Sequence, residues 1–596
     1  MIVNENTIGR EPITIVEIDQ DFCSRSFGSS PCTAAIGTTG AIECFNTFKS
    51  CQDTGNYDRT TLTLKFVQPN TGFPKGEYYI PSLVSVSTVP SELSIGSSDP
   101  DARPLGKNSS INIVFKDHPF NDKLVDPYRA NRTYDPFSQS TFWAKWLSRN
   151  PYYQNRPLRV RRGYVGQAIE DMKTHNYIIQ RINGPDSGGK VTVVAQDILK
   201  LADDKRAQAP KPSTGKLDSS ILAGATSLTL SPTGIGNSEY PASGTAIISN
   251  EIVTYTRSGD TVTLTARGQD GTEDEDHDAD ETFQQVKVYN SERVDLVVKD
   301  LLENFADVDS SYIPATDWAT EASTYLAGFT LNAKITEPEG VTKLLSEIVQ
   351  QCTCYIWWNE VDQEIKFRAI RPAIPDETVI KSISETKNIV KDSLKIERKT
   401  TERISQVWVY FGLYNPTESI DDASNHRRLN VTIDTDAETA NEYGERRVNR
   451  IYSRWFSSAN AGAANTASSR LLERYRDDPI YFTFSMDAKD RSILLGDVVE
   501  FEHRALVDFT GAPRVDVLQV VKITEKIPGH TYEYRCQAFG FAISGFGSRF
   551  CYIEDNAQTD YDNGSTTDAD RNFGAFICDN STESFPSDDG DAYRIV

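Results

Sequence analysis

The sequence predicts a mainly β protein of several domains with α+β parts. The chain has 596 residues, several times the usual domain size. Runs in which apolar and polar residues alternate recur from Ile13 to Cys536, separated by Gly, Pro, Asn and Asp, and this is the period of half-buried strands. Apolar residues at the helical period are confined to a few short stretches. The expected divisions are 1–67, an N-terminal strand with a cysteine loop; 68–211, a first β-barrel domain; 212–289, an inserted small β-barrel or sandwich; 290–384, an α/β connecting domain; 385–550, a second β-barrel with helices; and 551–596, an acidic C-terminal extension.

The N-terminal part is organised around Cys23, Cys32, Cys44 and Cys51. Strand-like runs flank them, Ile13 to Ile18 before and Leu62 to Val67 after, so the cysteines fall in a loop. Gly, Ser and Thr fill that loop, which cannot build a core of its own and calls for a staple. The spacing C-x8-C-x11-C-x6-C lacks the C-x2-C knuckles of most zinc sites. Two disulfides are a second option, although no signal-peptide pattern opens the sequence and a reducing compartment is expected. An iron–sulfur cluster, which tolerates varied spacing, is a third, and four reduced structural thiols are the fourth.

Residues 68–135 read as β structure with long loops, including Ile111 to Phe115. Phe142, Trp143, Trp146 and Leu147 then share one helical face, which ends at Asn150-Pro151. Arg156 to Arg162 is the one dense basic run. It lacks the aromatic ladder of a nucleic-acid site and is expected to meet an acidic neighbour subunit. Tyr177 to Ile182 and Lys190 to Ala195 form a hairpin around a Gly-rich turn. That turn is not a phosphate loop, because G-x-x-x-x-G-K-[ST] is absent.

Short alternating strands between Ser227 and Thr265 define the inserted module. The acidic run Glu273 to Asp276 does not match a calcium loop. Val294 to Phe305 and Val341 to Cys352 each carry an i, i+3, i+4 apolar face, the second preceded by a capping box at Thr336 and Glu339. Tyr355 to Trp358 and Glu364 to Ala369 supply a sheet for these helices to cover. Cys352 and Cys354 read as buried structural thiols. Further strands follow at Gln406 to Phe411 and from Ile480 to Cys536, with helices expected over Asp434 to Arg450 and Ala459 to Arg476. The extension has eleven acidic residues between Glu554 and Asp591 against Arg571 and Arg594. Such a composition takes on order only against a partner.

The 38% hydrophobic and 10% aromatic content indicates a folded protein, and the net charge of −23 opposes any grip on nucleic-acid phosphates. No apolar run has the length of a membrane span. None of the six histidines lies in H-E-x-x-H, and no G-x-S-x-G elbow is present. With 85 carboxylates, acid pairs are uninformative.

The run Cys23 to Val67, with Glu43-Cys44-Phe45-Asn46-Thr47 and Cys51-Gln52-Asp53 at its centre, resembles the N-terminus of tail-tip hub proteins of long-tailed bacteriophages and gene transfer agents. Phe142 to Tyr164, Asp197 to Pro210 within Tyr177 to Pro210, and Arg267 to Thr272 resemble the same group. The resemblance implies two hub-type β-barrels, a homotrimer, and an iron–sulfur cluster, [4Fe-4S], on Cys23, Cys32, Cys44 and Cys51. Zinc or no metal is the alternative there. It implies as partners the distal tail ring or tail tube proteins and the tail-tip or fibre proteins, with DNA only passing through the lumen. It also implies synthesis in the host cytoplasm, a place in the virion at the tail tip, and a structural rather than enzymatic role. The alternatives are a hub with peptidoglycan-degrading activity and a disulfide-stapled secreted adhesin.

Overall fold

The computed structural model describes residues 4, 6–7, 9–69, 72–87, 91–93, 110–203, 205–359, 362–371, 381–434, 446–490, 492–508, 510–538, 576–577 and 593–594. Strands predominate, as the alternation predicts. The first group comprises β1 (Pro12–Cys23), β2 (Arg59–Val67), β3 (Leu83–Val86), β4 (Ser91–Glu92), β5 (Ser110–Lys116), α1 (Phe142–Arg149), β6 (Pro157–Tyr164), β7 (Lys173–Asn183) and β8 (Lys190–Gln196). All its strands but β4 form one sheet, in the order β2-β1-β6-β7-β8-β5-β3. The sheet nearly closes on itself, because Val67 N donates to Ile80 O (3.0 Å) and Ile80 N to Lys65 O (2.8 Å) just before β3.

Helix α1 plugs this barrel. Trp143 lies 5.3 Å from Phe66 and 4.8 Å from Phe115, centroid to centroid, and burial of each such ring contributes about 2–3 kcal/mol. The helix starts where Asp117 accepts hydrogen bonds from Trp143 N (2.8 Å) and the Thr141 hydroxyl. In the β7–β8 turn Gly184 has φ +103, and a Cβ there would collide with the Lys190 carbonyl. The glycine serves the turn, and Asp186 completes it by accepting from Gly188 N and Lys190 N.

The basic run on β6 departs from its expectation. Antiparallel register sets Glu17 opposite Arg159, and every second residue of β1 from Glu17 to Asp21 is acidic. Arg156 pairs with Asp21 (2.5 Å), Arg159 with Glu17 (2.8 Å) and Asp19 (2.6 Å), Arg161 with Glu17 (2.8 Å), and Arg162 with Glu525 (3.2 Å). Burial alone would raise the Glu17 carboxyl, but the Arg161 and Arg159 hydrogen bonds hold it below the usual range. These charges are neutralised within the chain, so the run is no docking surface for an acidic neighbour.

The chain continues through β9 (Gln208–Ala209) into the inserted module: β10 (Lys216–Leu217), β11 (Ser227–Ser231), α2 (Ile235–Glu239), β12 (Ser243–Ile248), β13 (Glu251–Ser258), β14 (Thr261–Gln269) and β15 (Phe283–Gln285). Its six strands run in the order β10-β11-β14-β13-β12-β15 around Leu230, Ile248, Tyr255, Val262 and Phe283.

The connecting part contains β16 (Lys287–Arg293), α3 (Val294–Asp300) extended by a wider turn over Leu301–Phe305, α4 (Ala315–Tyr325), β17 (Thr330–Ile335), β18 (Glu339–Gly340), α5 (Val341–Gln351), β19 (Cys354–Asn359) and β20 (Glu364–Ala369). Val294, Val297, Val298, Leu301 and Leu302 pack with Val341, Leu344, Leu345, Ile348 and Val349, the two faces read from the sequence. The expected capping box does not form. Gly340 stands at the helix start, Glu339 pairs with Ala209 in strand β18, and Thr336 donates to Pro416 O (3.3 Å).

Last come β21 (Lys381–Ser384), β22 (Lys395–Arg398), β23 (Gln406–Leu413), β24 (His426–Ile433), β25 (Val448–Tyr452), α6 (Ala461–Tyr475), β26 (Ile480–Asp487), β27 (Val498–Val507), β28 (Pro513–Ile527) and β29 (Thr531–Ala538). The second large sheet runs β21-β27-β28-β29-β26-β22, and β4 of the first group adds to it beside β28. Leu93 N donates to Val521 O (2.7 Å), Lys522 pairs with Glu92 (2.9 Å), and the Tyr164 hydroxyl donates to Gly529 O (2.9 Å). These contacts join the two large sheets side by side. The helix expected over Asp434 to Arg450 is absent where described, since Val448–Tyr452 is a strand; residues 435–445 lie outside the described residues. So does the acidic extension, apart from the pair β30 (Phe576–Ile577) and β31 (Tyr593–Arg594).

Candidate functional site

The loop between β1 and β2 brings its four cysteines together. Cys23, Cys32, Cys44 and Cys51 line one small cavity with Arg25, Phe27, Ala34, Asn46, Gln52, Asp53 and Asn56. Cys23 is the last residue of β1, so the sheet fixes it, whereas the other three reach the cavity through turns. All four are free thiols. Burial pushes the Cys44 and Cys51 thiols up.

The expected metal is corrected by this geometry. Among the described residues no group of three or more His, Cys, Asp or Glu side chains is placed to hold a metal ion. The four thiols share a cavity without being placed as a ligand set, which counts against both the [4Fe-4S] cluster and its zinc alternative. The loop obtains its order from the polypeptide.

Asn46 is the centre of that order, and cysteine spacing does not reveal it. Its backbone is left-handed, φ +52, a conformation asparagine tolerates better than most residues. Asn46 O accepts from Cys23 N (2.7 Å), while its side chain donates to Cys23 O (2.9 Å) and Arg25 O (3.1 Å) and accepts from the Cys44 thiol (3.4 Å). Arg132 donates to Cys44 O (2.8 Å), and Arg132 and Arg149 stack on Phe45 at 4.0 and 3.8 Å. Asp53 accepts from Thr33 N (2.7 Å), and Gln52 donates to Ile42 O (2.6 Å). Tyr57, beneath the loop, is pushed up to about 12 by burial. The one sequence signal for this arrangement is an asparagine two residues after a cysteine, in a loop that needs a left-handed turn.

Replacing Asn46 by alanine is expected to lower stability by about 2 kcal/mol, because the buried Cys23 carbonyl and the half-buried Arg25 carbonyl lose their donor and the left-handed backbone is strained. Asn46→Gly relieves the strain alone and should recover a minority of the loss. Thermal unfolding, with hydrogen exchange at Cys23 and Ser24, checks both.

Outside the loop, Cys352 and Cys354 are fully buried and their thiols are pushed up by burial, which fits structural thiols. Burial also raises Glu347, Glu473, Asp490 and Asp497. None of these acids lines the cysteine cavity, the cleft between the two large sheets, or the cleft beside the inserted module. The resembling stretch Arg267 to Thr272 is a structural corner: Arg267 pairs with Glu251 (2.6 Å), Lys334 pairs with Asp270, and the Thr272 hydroxyl accepts from Ile252 N (3.1 Å).

No family model and no curated protein matches the sequence. Among solved structures the chain is similar to a tail protein from Neisseria meningitidis, with 12% identity over 76% of this chain and 92% of that one and a TM-score of 0.38. It is similar to the 43 kDa tail protein of prophage MuSo2 from Shewanella oneidensis, with 8% identity, 76% and 94% coverage and a TM-score of 0.34. A chain of a native gene transfer agent virion has 11% identity, 58% and 93% coverage and a TM-score of 0.29.

Proposed function

We propose that this chain is a structural, non-enzymatic hub of a phage-like tail tip, three copies of which close a ring between the tail tube or distal tail ring and the tip proteins. The observation that carries the reading is the stitched pair of large sheets. Two seven-stranded β units in one chain, fixed to each other by β4 and by Arg162–Glu525, give three copies six β units around an axis. That arrangement suits an adaptor between six-fold and three-fold parts. The resemblance of Cys23 to Val67 to tail-tip hubs supports the same reading.

The charge of −23 suits a lumen through which DNA slides, because like charge keeps phosphates from sticking. The four cysteines mark a loop braced by Asn46, Arg132 and Arg149, which we assign to docking on a neighbouring tail or tip protein. Its outer surface exposes Ile36, Ile42 and Phe48, apolar groups that gain by being covered. The chain would be made in the host cytoplasm and reside in the virion. Gold-labelled antibody on intact particles should mark the distal end of the tail, and particles assembled without the chain should lack a tip. Label along the tube or on the capsid would sink the proposal.

A further inference from the structure

The sheet β24-β23-β25 buries one face only. Val407, Val409, Phe411 and Ile451 enter the main core, and Asn430 and Thr432 hydrogen-bond Ser468 of α6. Register sets Trp408 opposite Val431 and Arg450, and Tyr410 opposite Leu429 and Tyr452, on the other face. There Leu429, Val431 and Ile433 are 46%, 42% and 45% exposed. Three apolar side chains in a row on an edge strand form a patch that proteins ordinarily cover.

Arginines surround this patch. Arg446 and Arg450 each stand 5.2 Å over the Trp408 ring, and Arg427 stands 4.8 Å over Tyr414. Among the described residues none of the three has a carboxylate partner, in contrast to Arg156 through Arg162 on β6. In a chain of net charge −23, unpaired arginines around an apolar face define the chemistry of what covers it: acidic, with aromatic residues between the acids.

We propose that the chain's own C-terminal segment, residues 551–596, docks on this arginine-rimmed face. The segment has eleven acidic residues against two arginines, with Tyr561, Phe573, Phe585 and Tyr593 spaced among them. Its point of departure lies beside α6. Gln537, next to the end of β29, accepts from Arg474 of α6 (2.8 Å), the helix packed under this sheet. Residues 539–550 can span about 40 Å when extended, enough to pass round α6. A tether of that length holds the segment at roughly millimolar effective concentration, so several weak ion pairs suffice.

The test uses the full-length chain and two full-length variants. One carries Arg427→Glu, Arg446→Glu and Arg450→Glu; the other replaces the six acids from Glu554 to Asp570 by their amides. Limited proteolysis within 551–596 and hydrogen exchange of β24 are read in each. Both rates should rise about tenfold in either variant, and in the wild type at high salt. A chain combining the arginine reversal with lysines at those six positions should return to the wild-type rates. In the wild type they should not change on hundredfold dilution. Unchanged rates in the amide variant would overturn the proposal and leave the cover to residues 435–445 or to a separate protein. Protection that disappears on dilution would overturn it in favour of a second copy.

Discussion

Replacing Glu251 by leucine is expected to destabilise the inserted module by about 3–5 kcal/mol, the scale set by breaking a buried ion pair from one side. Glu251 is fully buried at the start of β13. It accepts from Arg267 Nε (2.9 Å) and Nη2 (2.6 Å), Gly268 N (2.9 Å) and Glu275 N (3.3 Å). His277 Nε2 lies 2.8 Å from it, and Nδ1 of the same ring lies 3.0 Å from Glu281. Leucine would leave Arg267 with Asp274 alone (3.0 Å) and His277 with Glu281 alone, and two amides without an acceptor. Glu251→Gln keeps the shape and should lose less.

The acid side of the pH profile follows from the same contacts. Burial alone would raise the Glu251 carboxyl, but hydrogen bonds from Arg267, His277 and the backbone bring it below its ordinary value. A carboxyl lowered on folding contributes stability that is complete above its unfolded pKa and is lost as pH falls through the lowered folded value. Calorimetry of the wild type should show that loss in the module's transition, and the Glu251→Leu variant should lack it. An identical acid slope in both would remove Glu251 as the cause.

Replacing Arg454 by leucine should have an effect of similar size, again about 3–5 kcal/mol, but in the main core. Arg454 donates to Glu339 (2.9 and 3.1 Å) and Glu347 (3.0 Å), and Trp455 Nε1 donates to Glu347 (2.9 Å). These contacts lock α5 to the segment after β25. Burial already raises the Glu347 carboxyl, and without the guanidinium that rise increases. An acid raised on folding gains stability as pH falls through its folded pKa, so the variant should recover in mild acid, while Glu347 takes up a proton. The double change Arg454→Leu with Glu347→Leu should unfold less readily than Arg454→Leu alone. A double variant as unstable as the sum of its parts would mean that the two groups are not coupled.

Periodicity made the local elements legible. The apolar faces at Val294 to Leu302 and Val341 to Val349, the aromatic helix at Phe142 and the hairpin around Gly184 stand where the residue patterns place them. Long-range pairing was not legible. Nothing in Arg156 to Arg162 announces that Glu17, Asp19 and Asp21 face them across a sheet, and a dense basic run therefore resembled a docking surface. The arginines at 427, 446 and 450, without carboxylate partners among the described residues, are scattered in sequence and converge only through the register of β23 with its neighbours. Helix α4 gives no such pattern because only Trp318 and Ala322 of it are buried, too few positions for a periodic signal. The cysteine loop was visible as a unit, but its brace was not. Arg132 reaches Cys44 across 88 residues, and Asn46 acts through a left-handed backbone that no spacing rule contains.

In the proposed assembly three copies close a ring in which the paired sheets alternate around the axis. Electron cryo-microscopy of intact particles, with three-fold averaging at the tail end, tests it most directly. Three copies of this chain around a lumen, six β units in the ring and acidic side chains toward the channel are expected. A single copy at the tip, or a ring whose inner wall is formed by another protein, would contradict it.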